Sequence, residues 1–253
     1  NMQDIFAEDT GNGTPLVLVH GFLGSSEMWS PQINFFKDNF RVIAPALPGF
    51  GKSSTIKPCN TIECMAKSIL NFLDKEGIEN FYLLGHSMGG MVVQEMVKIA
   101  AEKILKLVCY GTGPRGNIPG RFETIDQSRK QLKINGLKDT AYRIAKTWFI
   151  EEEKAKYFYL CEEAGKQTSA EAADKGLVAM KKWNGIKNLK NIKNETLIVW
   201  GDQDRAYNLS QVETLNKNIP NSNLRVIKNC SHNVHLENPD EFNIIVEEFL
   251  KRK

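Results

Sequence analysis

Phe81-Tyr82-Leu83-Leu84-Gly85-His86-Ser87-Met88-Gly89-Gly90-Met91-Val92-Val93-Gln94 reads as a short buried strand, a tight turn and the opening of a helix. The apolar run ends at Gly85, helical spacing begins near Met88, and Ser87 stands alone in the turn between them. Gly85-x-Ser87-x-Gly89 has the spacing of a nucleophile elbow. Its glycines remove side chains where strand and helix backbones crowd, and the serine hydroxyl is held out on the turn. Five residues also fit an ordinary glycine-rich turn, so the reading requires a base, an acid and an oxyanion site elsewhere in the chain.

Upstream, residues 3–8 read as a short strand and Asp9-Thr10-Gly11-Asn12-Gly13-Thr14 as a hairpin turn leading into the apolar strand Pro15-Leu16-Val17-Leu18-Val19-His20. That strand runs into His20-Gly21-Phe22-Leu23-Gly24, where unpaired backbone N–H groups at a sheet edge can hold an oxyanion. In this reading Phe22 and Met88 each supply one N–H. Arg41-Val42-Ile43-Ala44-Pro45 is the next strand, and Gly51-Lys52-Ser53 beyond it imitates the end of a phosphate-binding loop. Ala46 stands where that motif needs glycine, Pro48 removes an N–H, and no apolar strand ends in an acid placed for Mg²⁺. A tight turn is therefore expected there rather than a nucleotide site. Residues 61–76 form an amphipathic helix with Thr61 as N-cap and Gly77 as its stop.

After the elbow helix, Ile104-Leu105-Lys106-Leu107-Val108-Cys109-Tyr110 continues the alternation of strand and helix. The pattern predicts an α/β chain with a mostly parallel central sheet covered on both faces. From residue 112 to 194 it changes to helices alone, four of them, separated near Gly136, Phe149-Ile150 and Gly165, one opening on the capping box Thr168-Ser169-Ala170-Glu171. The expected organisation is a core of residues 1–111 and 195–253 with an inserted helical cap at 112–194. Trp148, Phe149 and Trp183 are the cap's candidates for lining a substrate pocket. Arg115, Arg121 and Arg129 are candidates for pairing with a substrate carboxylate, although surface arginine is the plainer reading of each. The alternation then resumes with the strand Thr196-Leu197-Ile198-Val199-Trp200, the loop Gly201-Asp202-Gln203-Asp204, and a capping box at Ser210-Gln211-Val212-Glu213. A last strand, Asn223-Leu224-Arg225-Val226-Ile227, precedes a loop with His232 and His235, and Asn238-Pro239-Asp240-Glu241 starts the final helix.

Composition narrows the function classes. The 253 residues carry a formal charge of +3, too small to suggest a nucleic-acid partner, and Lys251-Arg252-Lys253 reads as a frayed end. No apolar run reaches transmembrane length and no signal-peptide pattern opens the chain, so no membrane partner is expected and the cytoplasm is the expected location. Five cysteines without a CxxC pair or metal-ligand spacing imply free thiols in a reducing compartment and no metal.

All four histidines, His20, His86, His232 and His235, fall in loops at strand ends and none in the cap. A serine hydroxyl needs an imidazole to take its proton, and the imidazole needs a carboxylate to fix its tautomer. Ser87, then the acids of Gly201-Asp202-Gln203-Asp204, then the histidine-bearing loop supply these groups in the order Ser, acid, His.

With these pieces the chain resembles the α/β-hydrolase superfamily over essentially its full length. The resemblance rests on His20-Gly21-Phe22, Leu47-Pro48-Gly49-Phe50-Gly51-Lys52-Ser53, Gly85-His86-Ser87-Met88-Gly89-Gly90, Gly201-Asp202-Gln203-Asp204, and Ser231-His232 with His235-Leu236-Glu237-Asn238-Pro239. It implies Asp204 rather than Asp202 as the acid, and His232 rather than His235 as the base, with Ser87 as nucleophile. It further implies a small ester or lactone as substrate, no cofactor, and an acyl-enzyme mechanism. The cap and Thr147-Trp148-Phe149 are similar to those of carboxylesterases and 3-oxoadipate enol-lactonases. A carbon–carbon bond hydrolase of the same fold is disfavoured by Asn233, where those enzymes often carry Trp. A non-catalytic ligand-binding relative is disfavoured because all three triad positions are filled. Ala46 departs from the family, which commonly carries Asp there as a brace for the following loop. Oligomeric state has no signature in the sequence.

Overall fold

The computed structural model describes residues 4–253. Seven strands form one sheet: β1 (Ala7–Thr10), β2 (Pro15–Val19), β3 (Arg41–Pro45), β4 (Phe81–His86), β5 (Ile104–Tyr110), β6 (Thr196–Gly201) and β7 (Ser222–Ile227). Their order is β1-β3-β2-β4-β5-β6-β7, and β1 alone runs antiparallel. The expected α/β sheet is therefore present, with one change at its edge. β1 does not form a hairpin with β2. It pairs with β3, Ala7 opposite Pro45 and Thr10 opposite Val42. The turn at residues 11–14 carries the chain past the β3 position, because β2 is buried and needs parallel neighbours on both sides. The first residue of the strand expected at 3–8 lies outside the described residues.

Alternation along the central strands divides their side chains between two cores. Val17, Val19, Leu83, Leu107, Cys109 and Ile198 enter one, and Leu16, Leu18, Leu84, Val108, Tyr110, Leu197 and Val199 enter the other. Both faces are thus apolar, which is why these strands read as continuous hydrophobic runs rather than as an alternating pattern. Each fully buried aliphatic side chain contributes about 1.5–3 kcal/mol.

Helices α1 (Ser30–Phe36), α2 (Ile62–Lys75) and α3 (Met88–Ala100) connect the first strands. Thr61 caps α2 through the Cys64 N–H, and Gly77 follows the helix with φ +71°. Between β5 and β6 lie α4 (Ile125–Lys146), α5 (Phe158–Gln167) and α6 (Ala170–Lys182). Gly136 interrupts α4 with φ 80° and ψ 173°, as its position suggests. Gly165, by contrast, lies inside α5, packed against the Ala141 methyl where a larger residue would not fit. The break falls three residues later, and the N-cap of α6 is Ser169, not Thr168. Asn208, not Ser210, caps α7 (Leu209–Asn218). The short α8 (Val234–Glu237) precedes α9 (Pro239–Lys251), which Asn238 caps ahead of Pro239. Arg252 is docked rather than frayed, its guanidinium 2.6 Å from Glu195.

The cysteine expectation also requires correction. Cys59 and Cys64 are joined by a disulfide whose Cα atoms are 5.6 Å apart, and Cys109, Cys161 and Cys230 are buried free thiols. A separation of five residues is no recognised signature, but the entry into α2 turns the chain back so that the two positions meet. The inference of a reducing compartment, which rested on unpaired cysteines, loses its basis. Among the described residues no helix is long and apolar enough to cross a membrane. Alkylation of the denatured, unreduced protein should modify three thiols, and reduction should expose two more by intact mass.

Candidate active site

The sheet places the site. β2 leads to β3 on one side, whereas β4 lies on the other side of β2, so the connections diverge at the carboxyl ends of β2 and β4. Such a switch point opens a crevice above the sheet. Val19 pairs with Gly85, which brings the His20-Gly21-Phe22 loop alongside His86 and Ser87. The loops after β6 and β7 open at the same edge.

Ser87 has φ 60° and ψ −119°, a conformation costing about 1–3 kcal/mol for a residue with a side chain. Four hydrogen bonds hold it. Its N–H donates to Tyr110 O at 3.0 Å, and its carbonyl accepts from Gly90 N, Met91 N and Thr112 Oγ1. The flanking glycines are needed for backbone approach: a Cβ on Gly85 would sit 2.2 Å from Gly89 O, and one on Gly89 would sit 2.3 Å from Val19 O. The Phe22 and Met88 N–H groups have no hydrogen-bond partner among the described residues, and a Cβ on Gly21 would sit 3.0 Å from Ser87 Cβ.

Asp204 and His232 meet across the neighbouring loops, with Asp204 Oδ2 2.8 Å from His232 Nδ1. Asp204 Oδ1 accepts from Ala206 N and Tyr207 N at 2.8 and 3.0 Å, which fixes the carboxylate plane. Asp202 serves differently: it accepts from Asn229 N and shapes the turn after β7. With Nδ1–H given to Asp204, Nε2 of His232 is left to accept a proton. The Ser87 hydroxyl donates to Tyr207 Oη at 3.4 Å and makes no hydrogen bond to His232 among the described residues.

The His232 loop is tied to the helical segment that follows β5. Ser231 Oγ donates to Thr147 O, Asn233 N donates to Trp148 O, and Glu237 accepts from both Ser231 N and Ile150 N. Burial raises the Glu237 pKa, and those two N–H groups oppose the rise.

The other histidines are buried scaffolding. His20 Nε2 accepts from Leu47 N, so its Nδ1–H donates to Gly21 O, fixing the loop that carries Phe22. His86 Nε2–H donates to His232 O while its ring stacks on Tyr110. His235 lies against Trp29 and contacts Tyr110 Oη through Nδ1. Desolvation lowers His20 to about 4 and His235 to about 3, and carries His86 well below its ordinary value. The loop after β3 is braced without the family's usual Asp at Ala46. Ser53 Oγ donates to Ala46 O and accepts from Phe6 N, and the N–H groups of Gly49, Phe50 and Ser53 are spent on turns within the loop. Lys52 pairs with Glu27 at 3.2 Å, so nothing here cradles a phosphate.

Above Ser87 and His232 is a narrow cleft. Its walls include Phe22, Met28, Ile118, Arg121, Phe122, Ile144, Trp148, Met180, Tyr207 and Asn233. Of the three expected pocket aromatics, only Trp148 lines it. Phe149 is fully buried against Phe158, and Trp183 turns its indole N–H to Glu95 at 2.9 Å. The Trp148-Phe149 pair follows α4 in a turn, with Trp148 lining the cleft and Phe149 in the core. Arg129 is held bidentately by Asp174 and Arg115 lines a neighbouring surface groove, whereas Arg121 lies between that groove and the cleft and lines both. Tyr207 was not anticipated. Its ring stacks on His232 and its N–H binds Asp204, and its position three residues after the acid was the available clue.

The matching family model, described as alpha/beta hydrolase fold, covers residues 14–239. A 2-hydroxy-6-oxononadienedioate/2-hydroxy-6-oxononatrienedioate hydrolase from Comamonas testosteroni is 27% identical, covering 97% of this chain and 91% of its own. A pimeloyl-[acyl-carrier protein] methyl ester esterase from Legionella pneumophila is 26% identical over 98% of this chain and all of its own. Among solved structures, a thermophilic esterase from Thermogutta terrifontis superposes with a TM-score of 0.87 at 26% identity, covering 98% of this chain and 93% of that one.

The neutral histidines make stability depend on pH. A buried imidazole whose folded pKa lies below its unfolded value of about 6.5 supports the fold above that pH and loses the contribution as pH falls. Between pH 6.5 and 5 the loss is about 2 kcal/mol for each of His20 and His235. Urea midpoints should therefore fall steeply over that interval, and His235→Asn should flatten the slope.

Proposed function

The chain belongs to the α/β-hydrolase family, and on that footing we propose that it is a serine hydrolase cleaving a small carboxylic ester or lactone through an acyl-enzyme. The observation that carries the reading is the Asp204–His232 hydrogen bond beside a strained Ser87 in one cleft. Esterases of this fold among the relatives support it.

Ser87 Oγ attacks the carbonyl carbon after leaving Tyr207 for His232 Nε2, which takes the proton; hydroxyl contacts of this kind commonly tighten only when substrate binds. Asp204 holds the imidazole in the correct tautomer and stabilises its charged form. The Phe22 and Met88 N–H groups receive the developing oxyanion, each contributing about 3–4 kcal/mol. His232 then protonates the leaving alcohol, the acyl group remains on Ser87, and a water deprotonated by His232 releases the acid. Residues 112–194 act as the cap that admits substrate. No metal or organic cofactor enters these steps. A second reading, hydrolysis of a carbon–carbon bond in an oxo-acid, draws on the Comamonas testosteroni relative and predicts a carboxylic acid and a second product with a new C–H bond in place of an alcohol.

Ser87→Ala should abolish labelling by a fluorophosphonate probe; labelling that persists at another residue would contradict the assignment. Asp204→Asn should lower kcat by about 10⁴-fold, whereas Asp202→Asn should lower it far less, measured on a chromogenic ester.

A further inference from the structure

Arg121 is the fixed positive charge among the cleft-lining residues. It sits on the loop before α4, and the next residue, Phe122, donates its N–H to Arg205 O, which ties this loop to the one carrying Asp204. Nη1 donates to Glu123 O at 2.8 Å and to Ser128 Oγ at 3.0 Å, both neutral acceptors. The nearby Glu123 carboxylate does not neutralise it by a salt bridge. That carboxylate is gripped at both oxygens by Arg143, at 2.8 and 3.1 Å, and also accepts from Ser128 Oγ. Nε and Nη2 of Arg121 have no hydrogen-bond partner among the described residues. The guanidinium carbon lies 4.4 Å from the Phe122 ring centroid, so one face is covered by an apolar surface.

Tyr207 adds a second polar group to the same wall. Its hydroxyl accepts from Ser87, which leaves its own proton free to donate, and burial raises its pKa so that it remains a phenol. Arg121 and Tyr207 line the same cleft. A partly desolvated cation with two free donor nitrogens, beside a phenol with a free proton, matches an anionic oxygen acid better than any neutral group. Asn233, also in the wall, leaves its buried Oδ1 unpartnered.

We propose that Arg121 and Tyr207 form a carboxylate-binding subsite, so that the preferred substrates carry a free carboxylate a fixed distance from the scissile carbonyl. The inference rests on the ester-hydrolase reading and specifies its substrate class. Arg121 supplies the planar fork and Tyr207 one further hydrogen bond, and a neutral substrate leaves the cation without a counter-charge.

The test compares p-nitrophenyl esters of succinic, glutaric and adipic acids, each with a free distal carboxylate, against the same esters ending in a carboxamide. The native enzyme should favour the acid at one chain length by 30-fold or more in kcat/KM. Arg121→Met should bring that ratio close to one, chiefly through KM, and Arg121→Lys should leave an intermediate ratio. Thermal melting confirms that each variant is folded. A native ratio near one, or a ratio unchanged in folded Arg121→Met, would overturn the subsite. Should the native protein hydrolyse neither series, the ester-hydrolase reading fails, and the subsite is then decided by glutarate binding followed through tryptophan fluorescence. Saturable quenching lost in Arg121→Met supports it; no quenching in the native protein overturns it.

Discussion

The structure depends on a close three-way approach of backbones: the end of β2, the end of β4 and the first turn of α3. Gly89 lies against Val19 O and Gly85 against Gly89 O at separations that no Cβ could occupy. This approach aims the N-terminus of α3 at the crevice and leaves Ser87 in a strained turn. The strain of about 1–3 kcal/mol is offset locally by the bonds from Gly90, Met91 and Thr112 to the Ser87 carbonyl. The same approach brings the loop that carries Phe22 beside Ser87 and Met88. The nucleophile and the oxyanion donors proposed above are consequently one construction, and displacing either backbone would disturb both.

A second layer beneath the site is built from neutral polar groups. His20, His86, His235 and Tyr110 are each buried and bonded to backbone or to one another. Their role is geometric: His20 holds the Phe22 loop, while His86 and Tyr110 hold the His232 carbonyl. Neutrality matters because charged imidazoles packed at these distances would repel one another and the cationic form of His232. The helical segment completes the frame, since the His232 loop hangs from Thr147, Trp148 and Ile150.

Much of this was legible in the sequence because the pieces obey local rules. Buried parallel strands read as apolar runs, glycines mark backbone crowding, and the chain order of Ser87, Asp204 and His232 follows the order of the strands that carry them. What escaped depends on tertiary placement. β1 pairs with β3 because the sheet needs an edge there, which no local pattern records. The disulfide arises from a chain reversal at α2. Phe149 and Trp183 are as aromatic as Trp148, and only the direction of a turn decides which faces the cleft. Tyr207 offered only its closeness in sequence to Asp204, which does not say that its ring will lie on His232. Arg121 could be nominated as an arginine, but its distinction from Arg129 lies in Asp174, a residue on another helix.

The central claim is that Ser87 carries the acyl group. Intact-mass and peptide analysis of protein quenched during turnover of a slowly deacylating ester tests it most directly. The account predicts one acyl group per chain, located on the peptide containing Ser87 and lost on further incubation. Product release with no covalent adduct at any time, or an adduct confined to a different residue, would contradict it.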